Sequence, residues 1–312
     1  MGKNKTCYIY IALAGVIWST LGLFGSILMS GGLSSEQVAF IRLFIGCIVL
    51  AIYSAIRKPE LLKISKKGLL YCMAAGVMGQ GLFNMSYFKS VELVGVSIAV
   101  VLSYTSPLFL ALFSRIIYGE KITPVKMVSL ILCFVGSIMA VTGGRLDLSG
   151  LNVYGLIMGV VSAIAYALIP TISKNALKEI SSETLLIYSF MFGAIFMIPS
   201  AKPIEMLKFA TDMNVMPYML LLGMFPAAIA YILYATGISR GAELSVVGVV
   251  ASTELIGGTL IGWILIGEPF SIGKIIGVAI MIISTITAVN ANKENAEDGA
   301  VEIPCVNVLN EA

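Results

Sequence analysis

The chain has 312 residues, 58% of them hydrophobic and 12% charged, and a mean hydropathy of +0.97. A soluble domain carries about 25% charged residues, so the deficit marks an integral membrane protein. A net charge of +3, spread over loops, leaves no basic face for nucleic acid, and the absence of histidine excludes histidine proton relays and most zinc sites.

The basic N-terminus, MGKNKTCYIY, leads into a long apolar run with further runs behind it, and reads as a retained first span rather than a cleaved signal. Apolar runs of near-spanning length, roughly 20 residues, follow at 8–28, 36–56, 68–88, 94–117, 125–143, 152–172, 183–201, 216–236, 244–266 and 273–290. In the first half one side of the membrane collects Lys3, Lys5, Arg57, Lys58, Lys63, Lys66, Lys67, Arg115, Lys121 and Lys126, against Lys89 and Arg145 on the other. That bias places the first group in the cytoplasm, and ten spans then place both termini there. The second half is nearly even, so the first sets the topology. Between spans seven and eight, residues 201–215 are expected to form a short amphipathic helix on the outer surface. The five cysteines, Cys7, Cys47, Cys72, Cys133 and Cys305, have no CxxC spacing and read as small buried hydrophobes.

An internal echo organises the chain. Laying Ser97–Val141 on Ser245–Val289, an offset of 148, matches 11 of 45 positions, where apolar helices reach about a tenth by chance. Ser97 pairs with Ser245, Thr105 with Thr253, Gly119-Glu120 with Gly267-Glu268, and Lys126 with Lys274. Five spans per half is odd, so the second half enters the membrane from the opposite side. The expected fold is all-α: ten transmembrane helices as two inverted five-helix repeats, 1–144 and 150–292, then a disordered cytoplasmic tail, 293–312. Inverted repeats allow alternating access to a site near the midplane.

Candidate site residues are the polar and aromatic groups held in the apolar runs. Arg42 lies six residues into its span, about 9 Å from the outer end. Its planar fork suits a substrate carboxylate, and it can equally snorkel outward or pair with Glu36. Gln80, Asn84 and Tyr87 share one helical face at i, i+4, i+7, either toward substrate or as interhelical hydrogen bonds. Trp18, Tyr104, Tyr166, Tyr231 and Tyr234 can wall a cavity for amphipathic or cationic ligands, or pack as ordinary aromatics. Glu254, near the middle of the ninth span, costs roughly 2.5–3.5 kcal/mol at a helix centre. It is the coupling candidate: it can exchange a proton, stay ionised as counter-charge to a cationic substrate, or only hold a neighbouring helix. Its repeat counterpart is Ser106, beside Pro107. Glu120 and Glu268 end the fourth and ninth spans and are expected to cap the next helix or pair with Lys126 and Lys274.

The order of these features, GVIWSTLG, VAFIRLF, SYTSPLFLALFSRIIYGEKIT and GGTLIGWILIGEPFSIGKIIGVAI, resembles the drug/metabolite transporter superfamily, in its branch with two EamA domains, over about 8–290. The resemblance implies a secondary carrier, usually in a plasma membrane, moving amino acids, metabolites or drugs, commonly outward. Where the family often has a proline after the second-domain glutamate, this chain has Leu255, which leaves no proline to interrupt that helix. The reading is a carrier of a small-molecule substrate, proton-linked or exchanging, in contact with membrane lipid and without cofactor or metal. An uncoupled facilitative carrier is the alternative within transport, and a channel or scaffold the alternative outside it; no histidine, metal-ligand pair or intramembrane acidic cluster supports an enzyme.

Overall fold

The computed structural model describes residues 3–145, 152–209, 211–266 and 271–298, and all regular structure in them is helical. Hydrocarbon offers the backbone no hydrogen-bond partner, and a helix satisfies its groups within one segment. In the first half α1 (Lys3–Trp18) and α2 (Leu21–Ser30) form one span interrupted at Ser19 and Thr20. Both hydroxyls bond back to the carbonyls of Val16 and Ile17, at 2.6 and 2.7 Å, a competition that bends helices. Next, α3 (Ser35–Arg57) opens on a capping box in which Ser34 and Gln37 bond reciprocally. The third helical run comprises α4 (Lys66–Ala74), a π-helical segment Ala75–Gly81 and α5 (Leu82–Val94). The fourth is broken between α6 (Val96–Ser103) and α7 (Ser106–Tyr118). Pro107 sits in the first turn of α7, where its missing N–H costs little, so it starts a new helix instead of kinking a continuous one. The half ends with α8 (Pro124–Thr142).

The second half repeats the order with α9 (Val153–Ala176), α10 (Ser182–Ala201), α11 (Met216–Leu222), a π-helical segment Gly223–Ile229, and α12 (Ala230–Ser239). Then come α13 (Leu244–Ala251), α14 (Thr253–Ile261) with a π-helical segment Gly262–Ile266, and α15 (Ile272–Asp298). Adding 148 to the ends of α6, 96 and 103, gives 244 and 251, the ends of α13. The same shift carries the π segment 75–81 onto 223–229 and the start of α8 onto that of α15. Packing follows the same exchange of halves. α5 lies on α9 as α12 lies on α1; the π segment 75–81 lies on α10 as 223–229 lies on α3; and α3·α10 and α8·α15 are their own counterparts. Two glycines permit the approach of the π segments to α10 and α3. A Cβ on Gly76 would meet the Ser189 carbonyl of α10 at 2.4 Å, and one on Gly223 would meet Ile45 of α3 at 2.3 Å.

Nine helices among the described residues are long and apolar enough to cross a membrane. The expected span 68–88 is not one of them, although it is continuously helical from 66 to 94: Gln80, Asn84, Ser86 and Ser90, all buried, dilute its apolar run. Residues 203–209 form a short 3₁₀ helix in the place expected, but with Met206 and Phe209 buried and Ile204 and Leu207 exposed it carries apolar side chains on both faces. The backbone of α15 continues helical to Asp298, six residues into the stretch expected to be a disordered tail. Residues 299–312, the junction at 146–151 and the Gly267-Glu268 pair lie outside the described residues.

Candidate functional site

Three interrupted helices meet where the halves face each other. Gly248 on α13 approaches Pro107 of α7, and Gly15 on α1 faces Thr253 and the Glu254 backbone. The ninth span is interrupted at Ser252 without a proline, so Leu255, standing where the family often has one, does not keep that helix continuous. Ser252 Oγ donates to the Gly248 carbonyl at 3.0 Å, and Thr253 Oγ1 to Val250 at 3.0 Å and, across the interface, to Ala12 at 3.2 Å. These hydroxyls compete with the helix's own amides. Glu254 therefore stands in the first turn of α14, the eleventh of the 22 residues of its span, where the helix dipole favours a carboxylate.

Glu254 is enclosed by protein yet keeps some accessible surface. Tyr87, Tyr104 and Tyr166 share that combination. The Glu254 carboxylate lies within electrostatic reach of these three phenols, of Tyr231 and of the Arg42 guanidinium. It makes no ion pair within 4.0 Å with any described residue. The rings form a continuous wall: Tyr87 stacks on Phe83 at 5.7 Å, and Phe83 on Tyr166 at 5.0 Å.

Arg42 turns into the bundle. Its Nη2 donates to Asn84 Oδ1 at 3.3 Å, while Glu36 accepts from Ser35; snorkelling and the Glu36 pair are both corrected, because the neighbouring helix offers an acceptor. Asn84 Nδ2 donates to the Gln80 carbonyl at 2.6 Å, and the Tyr231 hydroxyl donates to Gln80 Oε1 at 3.4 Å. Behind them Trp18 donates its indole N–H to the Pro226 carbonyl at 2.9 Å and packs on Tyr231 and Tyr234 at 4.9 and 5.0 Å.

The ten residues singled out from sequence thus gather in one region, in two tiers, with Tyr231 among the buried ones. Glu254, Arg42, Tyr87, Tyr104 and Tyr166 keep accessible surface. Gln80, Asn84, Trp18 and Tyr234 are buried, and of these Asn84 holds Arg42 while Gln80 and Trp18 meet at Tyr231. Sequence reasoning left out Phe83 and Phe190, the latter edge-on to Tyr231 at 5.1 Å; an apolar ring in an apolar run carries no distinguishing signal.

At the end of the bundle where α7 stops and α13 starts, a charge network ties five segments. Glu120 accepts from Lys174 at 2.6 Å, from the Leu244 and Ser245 amides at 3.0 and 3.1 Å, and from Ser245 Oγ at 3.0 Å. Lys126, 2% exposed, pairs with Glu243 and donates to the Lys121 carbonyl at 3.2 Å. The Glu243 amide donates to the Tyr8 hydroxyl at 3.1 Å. Glu120 therefore caps a helix, as expected, but one in the other half, and its cation is Lys174 and not Lys126. Burial alone would raise the Glu120 carboxyl, yet Lys174 and the α13 amides outweigh it and hold the group below the usual carboxylate range. Among the described residues no group of histidine, cysteine, aspartate and glutamate side chains is arranged to hold a metal ion.

Known proteins share this arrangement. A solved crystal structure matches with a TM-score of 0.75 over 91% of this chain and 96% of its own, at 18% identity, a likeness of fold. The chain is 29% identical over 204 residues to the uncharacterized transporter YxxF of Bacillus subtilis, covering 63% of this chain and 62% of that one. It is 20% identical over 291 residues to the uncharacterized inner membrane transporter YicL of Salmonella typhimurium, covering 92% and 96%. The pseudopaline exporter CntI of Pseudomonas aeruginosa is 29% identical over 135 residues, 43% of this chain and 45% of its own. One family model accounts for residues 5–142 and again, 148 positions on, for 153–290, so this multi-pass membrane chain belongs to the EamA-like transporter family.

Proposed function

We propose that the protein is a secondary carrier that moves a small metabolite across the plasma membrane by alternating access, with Glu254 as its coupling or charge-matching group. The observation that carries this reading is the state of that carboxylate. It sits at mid-span on a half-helix N-terminus, keeps accessible surface, and accepts no hydrogen bond from any described residue. A packing glutamate would have a donor.

Alternating access follows from the exchange symmetry of the halves. Ten crossings in two units of five make the units inverted, with both termini in the cytoplasm and the Glu120 network at the inner end. Exchanging the halves then exchanges which end is closed. The network's half-exchanged positions hold Ser26 for Lys174 and Gly95 for Glu243, so the two ends are closed by different chemistry. Outward transport is supported by the relative named as an exporter.

A thermal-shift screen of amino acids, nucleosides, sugars and cationic drugs at two pH values identifies ligands for proteoliposome counterflow under an imposed pH gradient. Saturable counterflow that the gradient accelerates is the expected result, and Glu254→Gln is expected to abolish the acceleration while the protein stays folded. Wild-type flux and pH response in that variant would remove Glu254 from the mechanism.

A further inference from the structure

We infer that the groove between α3 and α10 binds one phospholipid with a phosphoethanolamine headgroup, an acyl chain lying in the groove and the phosphate and primary ammonium resting on charged side chains at its mouth. The groove is on the outer face of the bundle: Phe40 and Phe44 each stand two residues from Arg42, on the opposite side of α3. Lipid binding there does not depend on the carrier reading.

The groove holds about 160 Å³. Its floor is Phe40 and Ala194, both buried, and its rim is Phe44, Ile48, Ile195 and Ile198, all exposed. Phe40 and Phe44 stack at 5.4 Å with 13° between their planes, which makes one wall flat. The Cys47 thiol, also on the groove, donates to the Ile187 carbonyl at 3.3 Å, so the lining presents hydrocarbon alone. From Phe40 to Ile48 it runs about 12 Å along α3, most of one leaflet of a core about 30 Å thick, in the leaflet that holds the start of α3 and the end of α10. Lipid tails are as apolar as this lining, so what a bound chain adds is close contact. Unfilled space forfeits dispersion energy, and a flexible acyl chain enters a groove that a helix about 10 Å wide cannot. A second copy packed about a twofold axis would set groove against groove and leave the space empty.

Charge at the mouth selects the headgroup. Glu36 stands one turn before Phe40 on α3, and Lys202 one turn after Ile198 at the end of α10, each in line with its side of the groove. Glu36 accepts from Ser35 Oγ at 3.3 Å and pairs with no cation among the described residues. Lys202 faces Glu205 at 3.6 Å, both exposed, a pair that solvent makes weak. Lys202 can therefore donate to a phosphate, while Glu36 accepts from a primary ammonium. A headgroup that is only anionic meets two carboxylates at the same mouth, and a choline headgroup has no N–H to donate.

The test gives full-length protein, stripped of lipid in detergent, an equimolar mixture of phosphatidylethanolamine, phosphatidylglycerol and phosphatidylcholine with identical chains, and counts retained lipid by native mass spectrometry. Wild type is expected to retain one lipid per chain, phosphatidylethanolamine about fivefold over either competitor, the scale of one charge-assisted hydrogen bond. Ala194→Leu, which fills the floor, is expected to lower retention of all three by a similar factor. Ile195→Trp, at the exposed rim, is expected to do the same, and its melting temperature in lipid-free detergent separates loss of binding from loss of fold. Glu36→Gln is expected to keep a lipid bound while bringing phosphatidylglycerol level with phosphatidylethanolamine. Ile283→Phe, on the exposed face of α15 outside the groove, is expected to bind as wild type does. Three results would each overturn the proposal: wild-type retention in both groove variants, equal retention of the three lipids by wild type, or lipid-free dimers that Ile195→Trp dissociates, which would make a second copy the occupant.

Discussion

The Gly76 position shows how tightly the site is held by its surroundings. A methyl group there would lie 2.4 Å from a main-chain carbonyl of α10 and 2.8 Å from Phe192, and backbone cannot turn aside as a side chain can. Overpacking of this kind costs about 1–3 kcal/mol. Gly76→Ala is therefore expected to lower the melting temperature by several degrees in detergent and, being four residues before Gln80, to weaken ligand binding. Gly22, with nothing within 4 Å of its Cβ position, is the control: Gly22→Ala should leave both unchanged, and equal effects of the two would refute the packing account. The site residues themselves were legible in the sequence because hydrocarbon makes each polar group in an apolar run conspicuous; Glu254, Arg42, Gln80 and Asn84 stand out for that reason. Their partners were not. Asn84 for Arg42 and Tyr231 for Gln80 lie 42 and 151 residues away, and no spacing rule reaches that far.

At the scale of elements, α13 is fastened by a carboxylate from outside its own half. Glu120 satisfies two amides that the helix N-terminus leaves open, and hydrogen bonds to a charged group are worth about 1.5–3 kcal/mol each. Since the folded protein holds the Glu120 carboxyl below its ordinary range, the unfolded chain takes up its proton first as pH falls. The stabilisation is therefore intact above the ordinary value of about 4.3 and fades as pH drops through the lower folded value. Glu120→Gln is expected to lower the melting temperature at pH 7, and the gap from wild type to shrink as pH falls below 4; a gap independent of pH would show that the charge is not what holds the helix. Most element boundaries were legible from the apolar runs. The break at Ser252 was not, because serine and threonine hydroxyls are compatible with an unbroken helix and interrupt one only where packing, here Gly248 against Pro107 and Thr253 against Ala12, favours the bend. The π segments escaped for a related reason, since their widening is set by contacts with α10 and α3.

For the whole molecule the offset of 148 has a geometric consequence. It relates the α6–α7 break to the α13–α14 break, one π segment to the other, and one family match to the next. Five crossings per unit would then put equivalent loops on opposite faces of the membrane. The 3₁₀ turns Pro59–Leu62 and Pro203–Phe209 both follow the second crossing of their unit, and Glu60 and Glu205 are exposed in them. In a variant lacking the five native cysteines, Glu205→Cys is expected to react with a membrane-impermeant maleimide applied to intact cells, and Glu60→Cys only after permeabilisation. Labelling of both from the same face would mean that the units run parallel. Exchange of halves could then no longer move the opening from one side to the other, and the paired packing of α5 on α9 and α12 on α1 would have to serve a static scaffold instead of a carrier.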